Sequence, residues 1–143
     1  MRLCLDARIV GPWVCARAGG TWVDGRGTAI GKLNDAGELV AGVLYEDWNG
    51  ANILCHIAGE GNWANRDYLG VIFDYPFNQL KVRRITVPVA STNLKSINLV
   101  NRMGFELEST LAQATPEGDL HLFRMWKDEC KYLKGKYALH RPS

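Results

Sequence analysis

His56 is the side chain in this sequence that is best suited to moving a proton near neutral pH. A free histidine has a pKa of about 6.5, so its ring can take a proton from a reacting group and release it again. His56 lies in the apolar stretch NILCHIAG, where strand alternation places it on one face with Leu54 and Ala58. A histidine that is satisfied inside the core is the other interpretation of this position.

Glu46 and Asp47 are the second candidates for a general base. Both stand at the sequence EDWNG, whose Asn-Gly pair is a strong signal for a hairpin turn. A carboxylate at this place would act through a bound water. Acidic residues at an exposed turn also have a simpler interpretation as solvated charges.

Asn93 and Ser96 open a short predicted helix and are the next polar candidates. Asn93 is a favourable N-cap, and Gly104 favours the left-handed backbone that follows a helix. The helix brings Asn93 and Ser96 to the end of the preceding strand. Its apolar face is expected to comprise Leu94, Ile97 and Val100.

The elements that must position these residues follow from hydrophobic periodicity. Residues 28–126 predict the order β-β-β-α-β-α-β-β, and the first three strands form an antiparallel meander. The helix after the meander starts at Asn62 or Asn65 and bends or ends near Tyr75, because Pro76 has no N–H to donate. In the strand VRRITVPV, Pro88 indicates an unpaired side for the same reason.

Both ends of the chain give weaker signals. MRLCLDARIV is consistent with a strand, and GPWVCARAGG with a short helix that has Pro12 near its first turn. From Lys127 onward the sequence predicts a short helix and a loose end. Its basic residues, which fit a solvated helix face, are Lys127, Lys131, Lys134, Lys136 and Arg141.

Composition limits the classes of function. A chain of 143 residues with 47% hydrophobic and 22% charged residues suits one globular domain. A net charge of +2 does not favour nucleic-acid binding. Four cysteines without a CxxC pair favour free thiols in a reducing cytoplasm over a metal site or disulfides. No apolar run approaches the roughly 18 residues of a membrane helix, and the start does not resemble a signal peptide.

One long segment resembles the GNAT family of acetyl-CoA-dependent N-acetyltransferases. It reads DYPFNQLKVRRITVPVASTNLKSINLVNRMGFELES and is followed by GDLHLFRM. The resemblance covers about residues 28–126 and is nearest to ribosomal-protein-type and small phage-borne members. The residues that match in order and spacing are Tyr75, Phe77, Arg84, Asn93, Ser96, Gly104, Phe105, Glu108, Asp119 and Met125.

The resemblance implies a mixed α/β (α+β) fold with a central, mostly antiparallel twisted sheet and helices on both faces. Two adjacent parallel strands splay apart, and the pantetheine arm of acetyl-CoA supplies the hydrogen-bonding partner that they lack. Here these strands would be NILCHIAG and ITVPVAS, which places Ile57 and Ala58 beside the cofactor. The implied roles are His56 as base and Asn93 near the cofactor arm. Ser96 or a water would donate the proton, since Val100 stands where the family often has a tyrosine.

The phosphate loop departs from the family pattern R/Q-x-x-G-x-G/A, because this chain has GEGNWANRDYL. Trp63 stands where glycine is common, and it either covers the cofactor or packs in the core. The amides of the following helix remain available to bind phosphate. The residues implied at the phosphates are Gly59, Gly61, Asn62, Trp63, Asn65 and Arg66.

These observations predict an N-acetyltransferase that uses acetyl-CoA and acts on a primary amine, either a protein N-terminus, a lysine or a small amine. The alternative is a degenerate scaffold that binds CoA or a protein without catalysis. Neither a metal nor a membrane is expected as a partner. A homodimer is a further option. Trp13, Trp22 and Trp48 are candidates for its contact surface or for the acceptor groove, and each is equally consistent with the core.

Overall fold

The structure is a computed structural model that describes residues 1–139. The strands are β1 Arg2–Cys4, β2 Gly27–Leu33, β3 Leu39–Glu46, β4 Asn52–Gly59, β5 Arg84–Ala90, β6 Glu106–Thr115 and β7 Gly118–Trp126. The α-helices are α1 Ala7–Ala18, α2 Arg66–Asp74 and α3 Leu94–Met103. A π-helical segment, Tyr75–Gln79, extends α2, and three 3-10 helices follow β7 at Lys127–Glu129, Lys131–Leu133 and Gly135–Tyr137.

The strands form one sheet in the order β1-β2-β3-β4-β5-β7-β6. All neighbouring strands are antiparallel except β4 and β5. This confirms the predicted mostly antiparallel mixed α/β fold and the order of its elements from β2 to β7. The predicted meander is β2-β3-β4, and β6 and β7 form the last hairpin.

The parallel strands β4 and β5 pair over only three positions, which end at Leu54 and Thr86. Beyond this point β4 stays paired with β3 as far as Gly59, and β5 stays paired with β7 as far as Ala90. The two strands therefore separate toward their carboxyl ends, as predicted. Pro88, which has no N–H to donate, lies in the separated part of β5.

Helices cover both faces of the sheet. α2 and α3 pack on one face, where Ile72 and Val100 belong to the main hydrophobic core. α1 packs on the other face, where Val10 and Val14 contact the cluster around Leu44. Since side chains alternate along β3 and β4, each strand contributes to both clusters.

Local signals set the ends of α2 and α3 as predicted. The side chains of Asn65 and Asn93 each accept a hydrogen bond from the backbone N–H of the third residue of their helix, at 2.9 and 3.2 Å. α2 ends at Asp74 and continues as the π-helical segment, because Pro76 removes a donor. Gly104 follows α3 with φ of 100°, the left-handed conformation that was expected there.

The amino-terminal elements differ from the prediction. β1 covers only three residues, and α1 begins earlier than predicted, at Ala7, because Asp6 caps it. Pro12 therefore lies inside the helix, where a proline costs about 3 kcal/mol. The complete burial of Val10 and Val14 offsets this cost through packing.

The predicted apolar face of α3 was wrong at Leu94, which is 68% exposed. The buried residues of α3 are Ser96, Val100 and Met103. At about 100° per residue, Leu94 lies roughly 200° around the helix from Ser96 and so points to solvent.

The carboxyl-terminal segment is three 3-10 helices instead of one short α-helix. It packs on the core, since the ring of Tyr132 stacks on Phe73 with centroids 4.7 Å apart and Cys130 is completely buried. The loose end that was predicted falls partly on residues 140–143, with Arg141 among them, and these lie outside the described residues.

Cys4, Cys15, Cys55 and Cys130 are all free thiols. Over residues 1–139, no helix has both the length and the apolar character that crossing a membrane requires.

The left-handed backbone at Gly104 gives a direct test of the α3 boundary. A Cβ at this position would have only Met125 nearby, at 3.9 Å, so Gly104→Ala adds backbone strain without a steric clash. We expect it to lower the free energy of unfolding by about 1 to 2 kcal/mol. Chemical denaturation measures this, with the exposed helical variant Asn101→Ala as control. Equal stability of the two variants would contradict the assignment.

Candidate active site

A cavity of about 290 Å³ lies where the carboxyl end of β4 faces α3. On the β4 side it is lined by Ile57, Ala58 and Gly59, and then by Glu60, Gly61 and Trp63 of the following loop. On the α3 side it is lined by Lys95, Ser96, Leu99 and Arg102, and Arg17 at the end of α1 completes it. The structure thus brings together six of the residues that the sequence predicted for the site: Ile57, Ala58, Gly59, Gly61, Trp63 and Ser96.

Asn93 does not line this cavity but fixes one of its walls. Its Oδ1 accepts a hydrogen bond from the backbone N–H of Ser96, and its Nδ2 donates to the carbonyl of Arg17 at 3.2 Å. The same side chain therefore caps α3 and ties it to the end of α1. Ser96, in the first turn of α3, is buried.

Trp63 fills the space above Gly59. Its indole is packed so closely there that any side chain at Gly59 would overlap it. Trp63 is only 7% exposed and contacts the ring of Tyr68 edge to face, with centroids 6.0 Å apart. It belongs to the main core, as one of the two interpretations expected, and it also lines the cavity; that it covers the cofactor stays a prediction.

The cavity is surrounded by three cations. Arg17 is held in place, because its Nε donates to Glu60 at 2.8 Å and its guanidinium lies 3.8 Å from the Trp13 ring. Lys95 and Arg102 are exposed and form no ion pair with any residue of the described range 1–139. Sequence reasoning did not select these residues. Lys95, Leu99 and Arg102 follow the i, i+4, i+7 spacing of one helix face, and that pattern was the available signal.

The other residues predicted at the phosphates lie elsewhere. Asn62 and Asn65 line a neighbouring groove of about 460 Å³, which they share with Trp63. The side chain of Asn65 is already engaged as the N-cap of α2. Arg66 lines neither cavity; its side chain is 67% exposed and lies 3.9 Å from Asp67.

His56 lies on the opposite face of β4, toward α1. Its Nε2 is 3.2 Å from Oε1 of Glu46. Both side chains are buried, with 10% of the His56 side chain and 4% of the Glu46 side chain exposed. Arg26 contacts Glu46 at 3.6 Å and donates a hydrogen bond to Asp47 at 3.0 Å. Glu46 and Asp47, the second candidates from the sequence, are therefore both neighbours of the His56 site, and Glu46 is its direct partner.

Burial is the main influence on His56 and lowers its pKa below the ordinary value. The charge and hydrogen bond of Glu46 act in the opposite direction, as does the charge of Asp47, whereas Arg26 lowers the pKa further. The net effect is a histidine that is neutral near pH 7, which is the form that can accept a proton.

We expect the pKa of His56 in the folded protein to lie below 6.5. The unfolded chain protonates at the ordinary value, so the free energy of unfolding falls as the pH drops below about 6.5 toward the folded pKa, and His56 has no such effect at higher pH. A titration followed by the ring C–H resonances measures this, with His56 assigned by the signal that His56→Gln removes. A midpoint at or above 6.5 would contradict it.

Comparison with known proteins identifies the family to which this chain is similar. The family model for the acetyltransferase (GNAT) domain matches residues 43–126, which include β4, α2, β5, α3, β6 and β7. None of the curated proteins matches this chain by sequence similarity.

Three solved structures from Vibrio cholerae share the fold. Spermidine/spermine N-acetyltransferase in complex with manganese ions has a TM-score of 0.69 at 17% identity, over 92% of this chain and 94% of that chain. Spermidine N-acetyltransferase in complex with CoA and spermine has a TM-score of 0.62 at 19% identity, over 74% of this chain and 69% of that chain. A dodecameric structure of spermidine N-acetyltransferase in an intermediate state has a TM-score of 0.60 at 19% identity, over 73% and 67%.

At such identities the structural likeness shows the fold, whereas the family model covers more than half of this chain and includes the separating strands. The protein therefore belongs to the GNAT family of acetyltransferases, which makes it an acyltransferase that uses acetyl-CoA.

Proposed function

We propose that the protein transfers the acetyl group of acetyl-CoA to a primary amine, with the pantetheine arm bound between β4 and β5. The observation that carries this proposal is the end of the parallel pairing at Leu54 and Thr86. Past this point the edges of β4 and β5 that face each other lack a strand partner, and buried backbone groups need one. The peptide-like amides of pantetheine fit such an edge as an added strand would.

The residues around the gap suit the rest of the cofactor. The cavity beside Ile57, Ala58 and Gly59 continues toward Lys95 and Arg102, whose charges suit phosphate groups. In this arrangement the cations of α3 supply the charge that the loop GEGNWANRDYL provides only at Arg66. The sequence-based assignment of Asn62, Asn65 and Arg66 to the phosphates is the competing version of the same proposal.

His56 is the proposed general base for the acceptor amine, because it is neutral and lies on β4 one residue before the cavity begins at Ile57. Ser96, in the cavity wall, or a water that it holds is the proposed proton donor to the leaving thiolate. Val100 cannot take this role, as it carries no proton donor and is buried. Asn93 positions Ser96 through its cap of α3.

The proposed acceptor is a primary amine, and a small cationic amine fits the site best. The spermidine acetyltransferases that share the fold act on polyamines, and Glu46 and Asp47 beside His56 suit a positively charged acceptor. A protein N-terminus or a lysine side chain is the other acceptor class.

Three further expectations from the sequence stay predictions: a cytoplasmic location, a kinship with ribosomal-protein-type and phage-borne members, and a homodimer. Trp48, 55% exposed, suits a contact between subunits.

The second candidate function is a CoA-binding or protein-binding module without catalysis. Trp63 favours it, because a large indole stands at a position where the family commonly has glycine, and it fills the space above Gly59. Acetyl-CoA binding without turnover of any amine in a mass-spectrometric screen would establish this function instead. The absence of any shift in melting temperature at millimolar acetyl-CoA would leave only the protein-binding version.

Removing a cation of α3 tests the phosphate contacts. We expect Lys95→Gln and Arg102→Gln each to weaken acetyl-CoA binding about two- to fivefold, since an exposed ion pair contributes about 0.5 to 1 kcal/mol. Calorimetric titration measures the affinity. S-acetyl-pantetheine, which lacks the nucleotide phosphates, is expected to bind both variants and the wild-type protein equally.

The exposed Lys134→Gln is the matched control, and Arg66→Gln tests the competing assignment. A loss of affinity in Arg66→Gln with none in the α3 variants would move the phosphates to the start of α2.

Replacing the base tests the catalytic role. We expect His56→Ala to lower kcat by a factor of about 10² to 10⁴ and to change the affinity for acetyl-CoA much less, because His56 faces away from the cavity. Steady-state kinetics and calorimetry on the same preparation separate the two effects. Unchanged turnover would remove His56 from the mechanism.

A further inference from the structure

Glu46 and His56 lie on the same face of the sheet, on neighbouring strands. Leu44 lies opposite His56 and Glu46 lies opposite Leu54, so the two side chains meet diagonally across the antiparallel pair β3–β4. Both side chains are buried, and the loop that follows α1 passes over His56 at Gly20. A carboxylate in this position requires a donor, and the His56 ring is the nearest one.

The contact defines which ring nitrogen carries the hydrogen. Oε1 of Glu46 can only accept, and it lies 3.2 Å from Nε2 of His56. A hydrogen on Nε2 of the neutral ring satisfies this oxygen, and the lone pair then lies on Nδ1. Nδ1 has no hydrogen-bond partner among residues 1–139.

Gly20 lies against this ring. A Cβ at residue 20 would be 3.2 Å from Cε1, 3.3 Å from Nε2 and 3.5 Å from Nδ1 of His56, so a side chain there would press on the ring edge between the two nitrogens. Gly20 also has φ of 92°, which favours glycine. The loop after α1 therefore passes close to the His56 ring at a residue that has no side chain.

We propose that Glu46 is the positioning residue for His56 and that the pair presents the unprotonated Nδ1 to the acceptor amine. The inference deepens the proposed function and rests on it. In the step, the amine nitrogen forms a bond to the acetyl carbon, and the carbon–sulfur bond breaks with its electron pair leaving on the CoA thiolate. The proton lost by the amine goes to Nδ1, and the resulting imidazolium is stabilised by the Glu46 carboxylate through Nε2–H.

The charged groups around the pair fit this role. Oε2 of Glu46 is buried and accepts no hydrogen bond within the described residues; its nearest cation is Arg26, with Nε at 3.6 Å. Arg26 also binds Asp47, which leaves one negative charge more than positive charge around the neutral ring. Cys15 of α1 adds no charge to this group, because burial and, to a lesser extent, the charge of Glu46 raise the pKa of its thiol. A proton that arrives on His56 therefore completes the charge balance of the group.

Nitrogen-15 NMR of the full-length protein without substrate tests the pair directly. We expect the Nε2–H tautomer in the neutral ring of His56. Glu46→Gln, which keeps the shape but removes the charge, is expected to lower the pKa of His56, whereas Arg26→Gln is expected to raise it. Arg26 is partly exposed, so its replacement is tolerated more easily by the fold. Arg26→Gln therefore provides a second measurement of the His56 pKa if Glu46→Gln folds poorly. The exposed Glu117→Gln is the matched control and should leave the pKa of His56 unchanged.

Kinetics supply the catalytic reading. Glu46→Gln is expected to lower kcat about ten- to a hundredfold while the KM for acetyl-CoA stays within about twofold. The Nδ1–H tautomer, or a Glu46→Gln protein in which the pKa of His56 and kcat are both unchanged, would overturn the inference. Wild-type protein that acetylates no amine would contradict the proposed function instead, and the tautomer and pKa shifts are read without any substrate.

Discussion

The short parallel pairing between β4 and β5 is the constraint on which the rest of the structure depends. It holds the two strands together for three positions and then ends, while each strand remains fully paired on its other side. The sheet is therefore continuous at one end and open at the other. The opening creates unpaired backbone and a cavity in the same place, and acetyl-CoA is the ligand class whose arm can satisfy such an edge.

Two sets of polar contacts surround this opening on different faces of the sheet. Asn93 and Arg17 tie the start of α3 to the end of α1, and Glu60 holds Arg17 at the mouth of the cavity. On the α1 face, Glu46 holds His56. In the proposed arrangement the cofactor and the acceptor approach β4 from opposite faces of the sheet, and the acetyl group passes through the gap beyond Leu54 to reach the amine beside His56.

The features of the site that could be predicted were those set by local sequence. Asn93 and Gly104 mark the two ends of α3 because cap preferences act within a few residues. Lys95 and Arg102 were missed because an exposed lysine or arginine on a helix looks the same whether or not a cavity lies beside it. Glu46 was recognised only as a base acting through water, since its contact with His56 depends on the register of β3 against β4.

The sequence alone determined the order of elements from β2 to β7, the carboxyl end of α2, both ends of α3 and the family, because these depend on periodicity, caps and an ordered set of motif residues. Only the tertiary structure decided how far β4 and β5 stay paired, that Trp63 fills the space above Gly59, and that Arg17, Lys95 and Arg102 surround one cavity. It also decided that α1 tolerates Pro12 inside the helix. These outcomes depend on packing between segments far apart in the chain, and the free energy of such contacts is not encoded in any local pattern.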